Sequence, residues 1–587
     1  MPSRRRSTTA RTCRIPPTPR NGLASPGTPP AGSWTSPWRT REPSPTRQHF
    51  STPGRKTLVN AQKDNEATGY VLGSETEFGI VAVDAPEASP VYTSTQAVVA
   101  YAEVSGQGVN RRTRWDYDSE SPLRDARGFD LRRYRSGAAP SYDPNAVGIA
   151  NVITPAGARF YVDHAHPEYS SPEVTCAYDL VVWDQAGDRV MHAAAQAAGQ
   201  VEGQPELKIY KNNVDGKGAS YGAHENYLYP RSLNVEDVHQ ALIPHFVTRQ
   251  IYAGAGRVGL GQAGEQPGFQ ISQRADYIET EVSLETTLNR GIVNTRDEPH
   301  ATADDWRRLH VIIGDANLSQ FATYLRFGTT ALVLKAVEAG ADFSDIVLID
   351  PVEDVRRVSR DLELTTPLRL YGNTTATAIE LQRRIREKVI AALEPAGKLT
   401  TDEQRVLALW EEIVDDLAAD PLRTADRLDW TAKYALLRGY RARGLEWSDP
   451  RMALVDIQYH DIDPARGLYH ALVARGKMRT LVDDAEIATA VDTPPRGTRA
   501  WLRGALVKHY APKILAANWD SVVLDHSYEG HPAMRVGLPE PLQATADSFA
   551  GTVLADLAEA EPGQAPEFSE VAAALIAALP ERVMGVG

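Results

Sequence analysis

The stretch Tyr70-Val-Leu-Gly-Ser-Glu-Thr-Glu-Phe-Gly-Ile-Val-Ala-Val83 reads as a β-strand with a glycine at each end of its acidic part. Side chains alternate along a strand, so Glu75 and Glu77 share one face. Ordered structure is expected to begin near Gly69. Downstream, Asn151-Val-Ile-Thr-Pro-Ala-Gly-Ala-Arg-Phe-Tyr-Val-Asp-His164 reads as a hairpin turning at Pro155 to Gly157. That pattern puts Arg159, Tyr161 and Asp163 on one face and Phe160, Val162 and His164 on the other. Residues 207–211, 225–229 and 277–284 are further strand candidates.

Later segments turn helical. Thr400-Thr-Asp-Glu403 is a capping box ahead of Val406, Leu409, Trp410, Ile413 and Leu417 at helical spacing. Leu381, Ile385, Val389 and Leu393 form a second stripe, read as core. Residues 559–567 read as a linker before a short last helix, and Thr493-Pro-Pro-Arg-Gly497 as the boundary of a small C-terminal domain.

The chain has 587 residues and a formal charge of −13, with 42% hydrophobic and 24% charged residues. That is the balance of a globular protein with room for a large core. Residues 1–60 hold eleven Lys or Arg, one acid and eleven of the 39 prolines, so residues 1–68 are expected to be a disordered basic extension, dispensable or reflecting a start codon placed too far upstream. No apolar h-region argues for a secretory signal, and no stretch approaches a membrane span. Cys13 and Cys176 fit no metal or disulfide spacing. A cytoplasmic protein with neither membrane nor nucleic-acid partners is expected.

Strand-borne acids on one face, Glu75 with Glu77 and Glu279 with Glu281, suit Mg²⁺ coordination, although exposed acidic strands look the same. Tyr161-Val-Asp-His-Ala-His-Pro-Glu-Tyr169 packs a phenol, an aspartate, two histidines and a glutamate behind a strand, a density that favours chemistry. The glycines between Lys211 and Asn226 either let the backbone approach a phosphate or form a plain hairpin; the spacing is not that of a P-loop. Arg307-Arg-Leu-His310 offers a phosphate-binding guanidinium and an imidazole, or a surface basic cluster. His460, with no evident partner, reads as structural. Residues 106–149 form an insertion combining arginines, acids and apolar anchors such as Trp115, expected to cover the site.

Six segments together resemble one family. They are Gly73-Ser-Glu-Thr-Glu-Phe-Gly79, Ala158 to Tyr169, Tyr210 to Asn226, Gly268-Phe-Gln-Ile-Ser-Gln-Arg-Ala-Asp-Tyr277, Asn294-Thr-Arg-Asp-Glu-Pro-His300 and His310-Val-Ile-Ile-Gly-Asp-Ala-Asn-Leu318. The family is that of the ligases and depupylases of Pup, the prokaryotic ubiquitin-like protein, within the carboxylate–amine ligase superfamily. The resemblance runs from about residue 69 to the C-terminus.

It implies an α+β, glutamine-synthetase-like fold: a curved, mostly antiparallel sheet backed by helices, with residues 69–495 catalytic and 496–587 a small C-terminal domain. It implies ATP and Mg²⁺ as cofactors, and Pup and pupylated proteins as partners, with the proteasomal ATPase as a further candidate. By position, Asp163 matches the catalytic aspartate. Glu75, Tyr161, Glu168, His224 and His310 match metal positions, and Gly73, Ser74, Glu75, Thr76, Glu77, Ser170, Ser171, Asn226 and Arg308 match nucleotide positions. A neutral phenol is a poor Mg²⁺ ligand, so Tyr161 would act through backbone or water. Trp430 matches a position near adenine, with aromatic core as the rival reading. The insertion and the short sequence His164-Ala-His-Pro-Glu168 favour the hydrolytic branch, which deamidates the C-terminal Gln of Pup and cleaves the isopeptide to substrate lysines. The alternatives are the ATP-dependent ligase and a non-catalytic Pup-binding protein.

Overall fold

The computed structural model describes residues 70–106, 114–115, 124–128, 150–215, 217–395, 397, 399–527, 530–561 and 563–586. The expected extension, residues 1–68, and most of the insertion lie outside the described residues. In chain order the strands are β1 (Leu72–Glu77), β2 (Gly79–Ala82), β3 (Arg114–Trp115), β4 (Asn151–Ile153), β5 (Arg159–Asp163), β6 (His166–Ser170), β7 (Leu207–Tyr210) and β8 (Ala223–Pro230). They continue as β9 (Arg257–Leu260), β10 (Gln266–Gln270), β11 (Thr280–Ser283), β12 (Gly291–Asn294), β13 (Trp306–Val311), β14 (Leu368–Leu370), β15 (Thr374–Ala376), β16 (Ile514–Ala517), β17 (Ser521–Leu524), β18 (Ala533–Gly537) and β19 (Val583–Val586).

Six of them form the central sheet, in the order β13-β8-β1-β6-β5-β4, with every pairing antiparallel. The expected single strand from Tyr70 to Val83 is two strands. At Phe78, buried to 1% exposure, the chain leaves the central sheet, and β2 pairs with β7 instead. The hairpin at residues 151–164 forms as expected, with Arg159 opposite Ile153. The candidate at 277–284 is only partly a strand, opening as a single 3₁₀ turn before β11.

Period two places one set of side chains in the core. Phe160, Val162 and Tyr169 pack with helices α1 (Pro90–Val104) and α2 (Ala177–Gly199). Tyr227, Tyr229, Leu309 and Val311 pack with α3 (Val235–Ala253) and α4 (Gln320–Glu338). Beyond α5 (Pro351–Arg360), α6 (Ala378–Leu393) buries the whole stripe Leu381, Ile385, Val389 and Leu393 at 0% exposure. The capping box at Thr400 forms, opening α7 (Thr401–Ala419), with Glu403 returning a bond to the Thr400 amide. Trp430 sits in this helical core, fully buried, with its indole N–H donating to the Ile251 carbonyl at 2.7 Å. Trp430 is thus a core residue, as the rival reading has it.

A separate apolar core gathers Trp501, Leu506, Val522, Val536, Leu554, Val571 and Leu575 beside the five-stranded sheet β19-β18-β17-β16-β3. Its edge strand is Arg114–Trp115 from the insertion, laid parallel to β16. Among the described residues no helix is long and apolar enough to cross a membrane.

Candidate active site

The other set of alternating side chains forms the face on which the site is built. Register sets the rows: Arg159, Ser170, Glu75 and His224 lie opposite one another across β5, β6, β1 and β8. Tyr161, Glu168 and Glu77 make the next row, and Asp163 pairs with His166 in the row after. Directly opposed side chains on one face are contact neighbours. Residues scattered from position 75 to 310 thus come together.

The rows border a cleft of about 430 Å³ lined by Gly73, Ser74, Glu75, Tyr161, Asp163, Ser170, Ser171, Asn226 and Arg308. Of the expected nucleotide positions, Ser74 reaches it only by its backbone end, since its side chain is buried on the core face and its amide donates to Ser171 Oγ at 2.9 Å. Thr76 is turned to the same core face, and Glu77 leans past the cleft toward His166 Nδ1 at 3.2 Å. Those two side chains are not brought to the cleft. Arg308 donates to Asn226 Oδ1 at 2.9 Å, the same oxygen that lies 2.9 Å from His310 Nδ1.

At the edge of the cleft Glu75, Glu168 and His224 converge, their ligand atoms all within 4.8 Å of one another. Among the described residues both Glu168 oxygens and His224 Nδ1 are buried without a hydrogen-bond partner. Burial, then the charges of Glu75, Asp163 and Glu77, push the Glu168 carboxyl well above its ordinary range. Burial also raises Glu75, but the neighbouring His224 imidazole, 3.8 Å away, followed by His310, outweighs it and holds that carboxylate well below the usual range. Orphaned carboxylate oxygens facing a second acid are what a hard divalent cation satisfies, so the residues fit one. His310, its ring 4.9 Å from that of His224, stands beside the cluster, kept neutral by burial and by Arg308. Tyr161 donates weakly to Glu75 at 3.4 Å, and burial raises its phenol far above the ordinary value, so it offers a neutral hydroxyl. Glu279 and Glu281 lie exposed near β11, away from this cluster.

Asp163 stands at the cleft mouth with a side chain 41% exposed, bonded to His164 Nδ1 at 2.9 Å. The remaining wall comes from segments to which pattern assigned no role. Arg296, Glu298, Pro299 and His300 supply one side; Arg499, Trp519 and Pro541 supply another from the C-terminal part. The Arg159 guanidinium lies 3.8 Å from the ring centroids of both Trp115 and Tyr161, seating the insertion beside the site. Arg159 was visible as a face-mate of Asp163; nothing in the sequence pattern marks Arg499 or Trp519.

A family profile described as Pup-ligase protein matches residues 70–523. The chain belongs to the Pup-ligase family. Within it, the Pup deamidase/depupylase of Mycolicibacterium smegmatis is 51% identical over 476 residues, covering 81% of this chain and 95% of that protein. The solved complex of Pup with its ligase PafA superposes with a TM-score of 0.68 at 30% identity, covering 84% of this chain and 92% of that one. The Pup ligase PafA in complex with ADP gives 0.61 at 32% identity, covering 71% and 95%. These matches bear out the α+β fold of mixed helices and antiparallel sheet.

Proposed function

We propose that this Pup-ligase family member is a Pup deamidase and depupylase. It hydrolyses the side-chain amide of a C-terminal Gln of Pup, and the isopeptide between Pup and substrate lysines, with ATP and Mg²⁺ bound as cofactors. The observation that carries this reading is an accessible carboxylate, Asp163, at the mouth of a cleft edged by an acid and histidine cluster, in a chain 51% identical to a depupylase and 39–43% identical to Pup–protein ligases.

Nucleotide in the cleft is supported by the ADP-bound relative. Gly73, Ser170, Ser171, Asn226 and Arg308 would hold it, and Glu75, Glu168 and His224 would hold the cation, with Tyr161 and His310 beside them. Bound Mg²⁺ and nucleotide supply positive charge and a rigid wall against which an amide carbonyl is oriented. Amide hydrolysis needs no ATP energy. Asp163 either attacks the carbonyl carbon or takes a proton from water. Two bodies are proposed within 69–587, a catalytic one to 495 and a smaller one from 496, a division supported by the separate core around Trp501.

The test is incubation with Pup ending in Gln plus ATP, following the C-terminal residue by mass. The small gain of an amide turning into an acid supports the hydrolase. Stoichiometric ADP release, with Pup ending in Glu joined to lysine, would mean the ligase.

A further inference from the structure

The turn that joins β5 to β6 is made of His164 and Ala165. His164 takes φ +52°, in the left-handed region that non-glycine residues adopt uncommonly, histidine more readily than most. Strained backbone of this kind collects at functional sites. Its product here is specific: the ring turns back over the end of β5, and Nδ1 reaches Asp163 Oδ2 at 2.9 Å. The imidazole lines the cleft and remains 76% exposed, open to substrate and solvent.

Three titratable groups surround it. Asp163 is bonded to it, Glu77 faces it from β1, and His166 on β6 pairs with Asp163 and sits 3.2 Å from Glu77. The bond to Asp163, then its charge and that of Glu77, raise the imidazole above its ordinary value, outweighing its partial desolvation.

We propose that His164 is a second catalytic residue, which fixes Asp163 through the Nδ1–H bond with one carboxylate oxygen left free, and passes a proton to the departing amine. The inference rests on the hydrolytic reading above. As the bond from the Asp163 oxygen, or from water, to the carbonyl carbon forms, the C–N bond breaks and the nitrogen leaves with the bonding pair. That nitrogen takes a proton from the His164 imidazolium. Where Asp163 attacks, water then hydrolyses the anhydride and its proton restores the ring; where water attacks, its proton goes to Asp163 and the neutral ring is reprotonated as that proton is released, so on either route amide and water become acid and amine. General acid catalysis of this kind is worth about 10²-fold or more in rate.

Two variants separate positioning from proton transfer without disturbing the turn. Gly is relaxed at φ +52° but removes the ring. Asn tolerates that conformation and keeps an N–H near the place of Nδ1, without a titratable proton. With Pup ending in Gln and saturating ATP, His164→Gly should lower kcat by about 10²-fold while leaving KM for Pup and ATP affinity unchanged. His164→Asn should recover part of that loss. Both should lose the decline of kcat at alkaline pH that deprotonation of the ring imposes on the wild type, and added imidazole should partly restore the glycine variant. Wild-type kcat or an unchanged pH profile in both variants would overturn the inference, as would a parallel loss of ATP affinity. An active wild type beside such variants condemns this inference alone; a wild type that releases no ammonia condemns the hydrolytic reading as well.

Discussion

Glu75 and Glu168 approach each other diagonally across the ladder between β1 and β6, since Glu75 is registered with Ser170 and Glu168 with Glu77. One of the two is held ionised and the other pushed toward its neutral form. A cation between them removes the conflict. Glu168→Gln should therefore weaken Mg²⁺-nucleotide binding, on the order of tenfold or more, while nucleotide affinity in excess chelator changes little. Calorimetric titrations with and without metal check this, and equal losses in both would point to a purely structural role.

Asp163→Asn keeps the shape of the side chain and removes both the nucleophile and the base. Turnover of Pup should fall by several orders of magnitude with ATP affinity largely preserved. Parallel loss of ATP affinity would make Asp163 a cofactor-binding group instead.

Glu173 joins the two regions. It accepts from Arg499 Nε at 2.8 Å and also from Arg503, and both arginines are buried. Burial pushes its carboxyl up, but Arg503 and Arg499 outweigh this and bring it down to about 2. A carboxyl lowered on folding stabilises above its unfolded value of about 4.5, and the contribution is lost as pH falls toward about 2. Glu173→Gln should cost on the order of 3 kcal/mol at neutral pH, because two buried cations lose their partner. The gap between wild-type and variant urea midpoints should shrink progressively below pH 4.5; a gap undiminished at pH 2.5 would refute the pairing.

Asp125 ties the insertion to the cleft wall. Its carboxylate accepts from Thr295 Oγ1 at 2.7 Å, and Ala126 N donates to the Thr295 carbonyl at 2.8 Å, one residue before Arg296. Asp125→Ala should raise the dissociation constant for nucleotide several-fold with little change in melting temperature, because the segment leading to Arg296, Glu298 and His300 loses an anchor. Unchanged nucleotide binding would confine Asp125 to a surface role.

Deleting residues 1–60 should leave folding and Pup turnover intact, since that segment carries neither periodicity nor a family motif. Loss of expression or of activity in the shortened chain would show otherwise.

The site was legible where local period-two patterning governs. Glu75, Tyr161 and Asp163 declare their face by alternation, and His224 with Asn226 does the same. Alternation does not say which strands are neighbours, so Glu279 with Glu281 looked equivalent to Glu75 with Glu77 until pairing placed them apart. It also passes over Phe78, where a continuous apolar and acidic run changes sheets because β7, more than 120 residues onward, supplies the next partner. Trp519 and Arg499 reach the cleft through the packing of the C-terminal core, a long-range fact with no local signature. His164 was placed on the face opposite Asp163, and its left-handed backbone is what returns it.

The register of β1 carries a penalty for error. A slip of one residue against β6 and β8 would drive Glu75 and Glu77 into the space now filled by Leu72, Ser74 and Thr76, beneath apolar helices. Two unpaired carboxylates in that layer would cost far more than a mismatched alkyl side chain. The acids therefore act as a proofreading device for strand alignment, rejecting wrong pairings before any ligand arrives. Neutralising both should let misregistered chains persist during refolding.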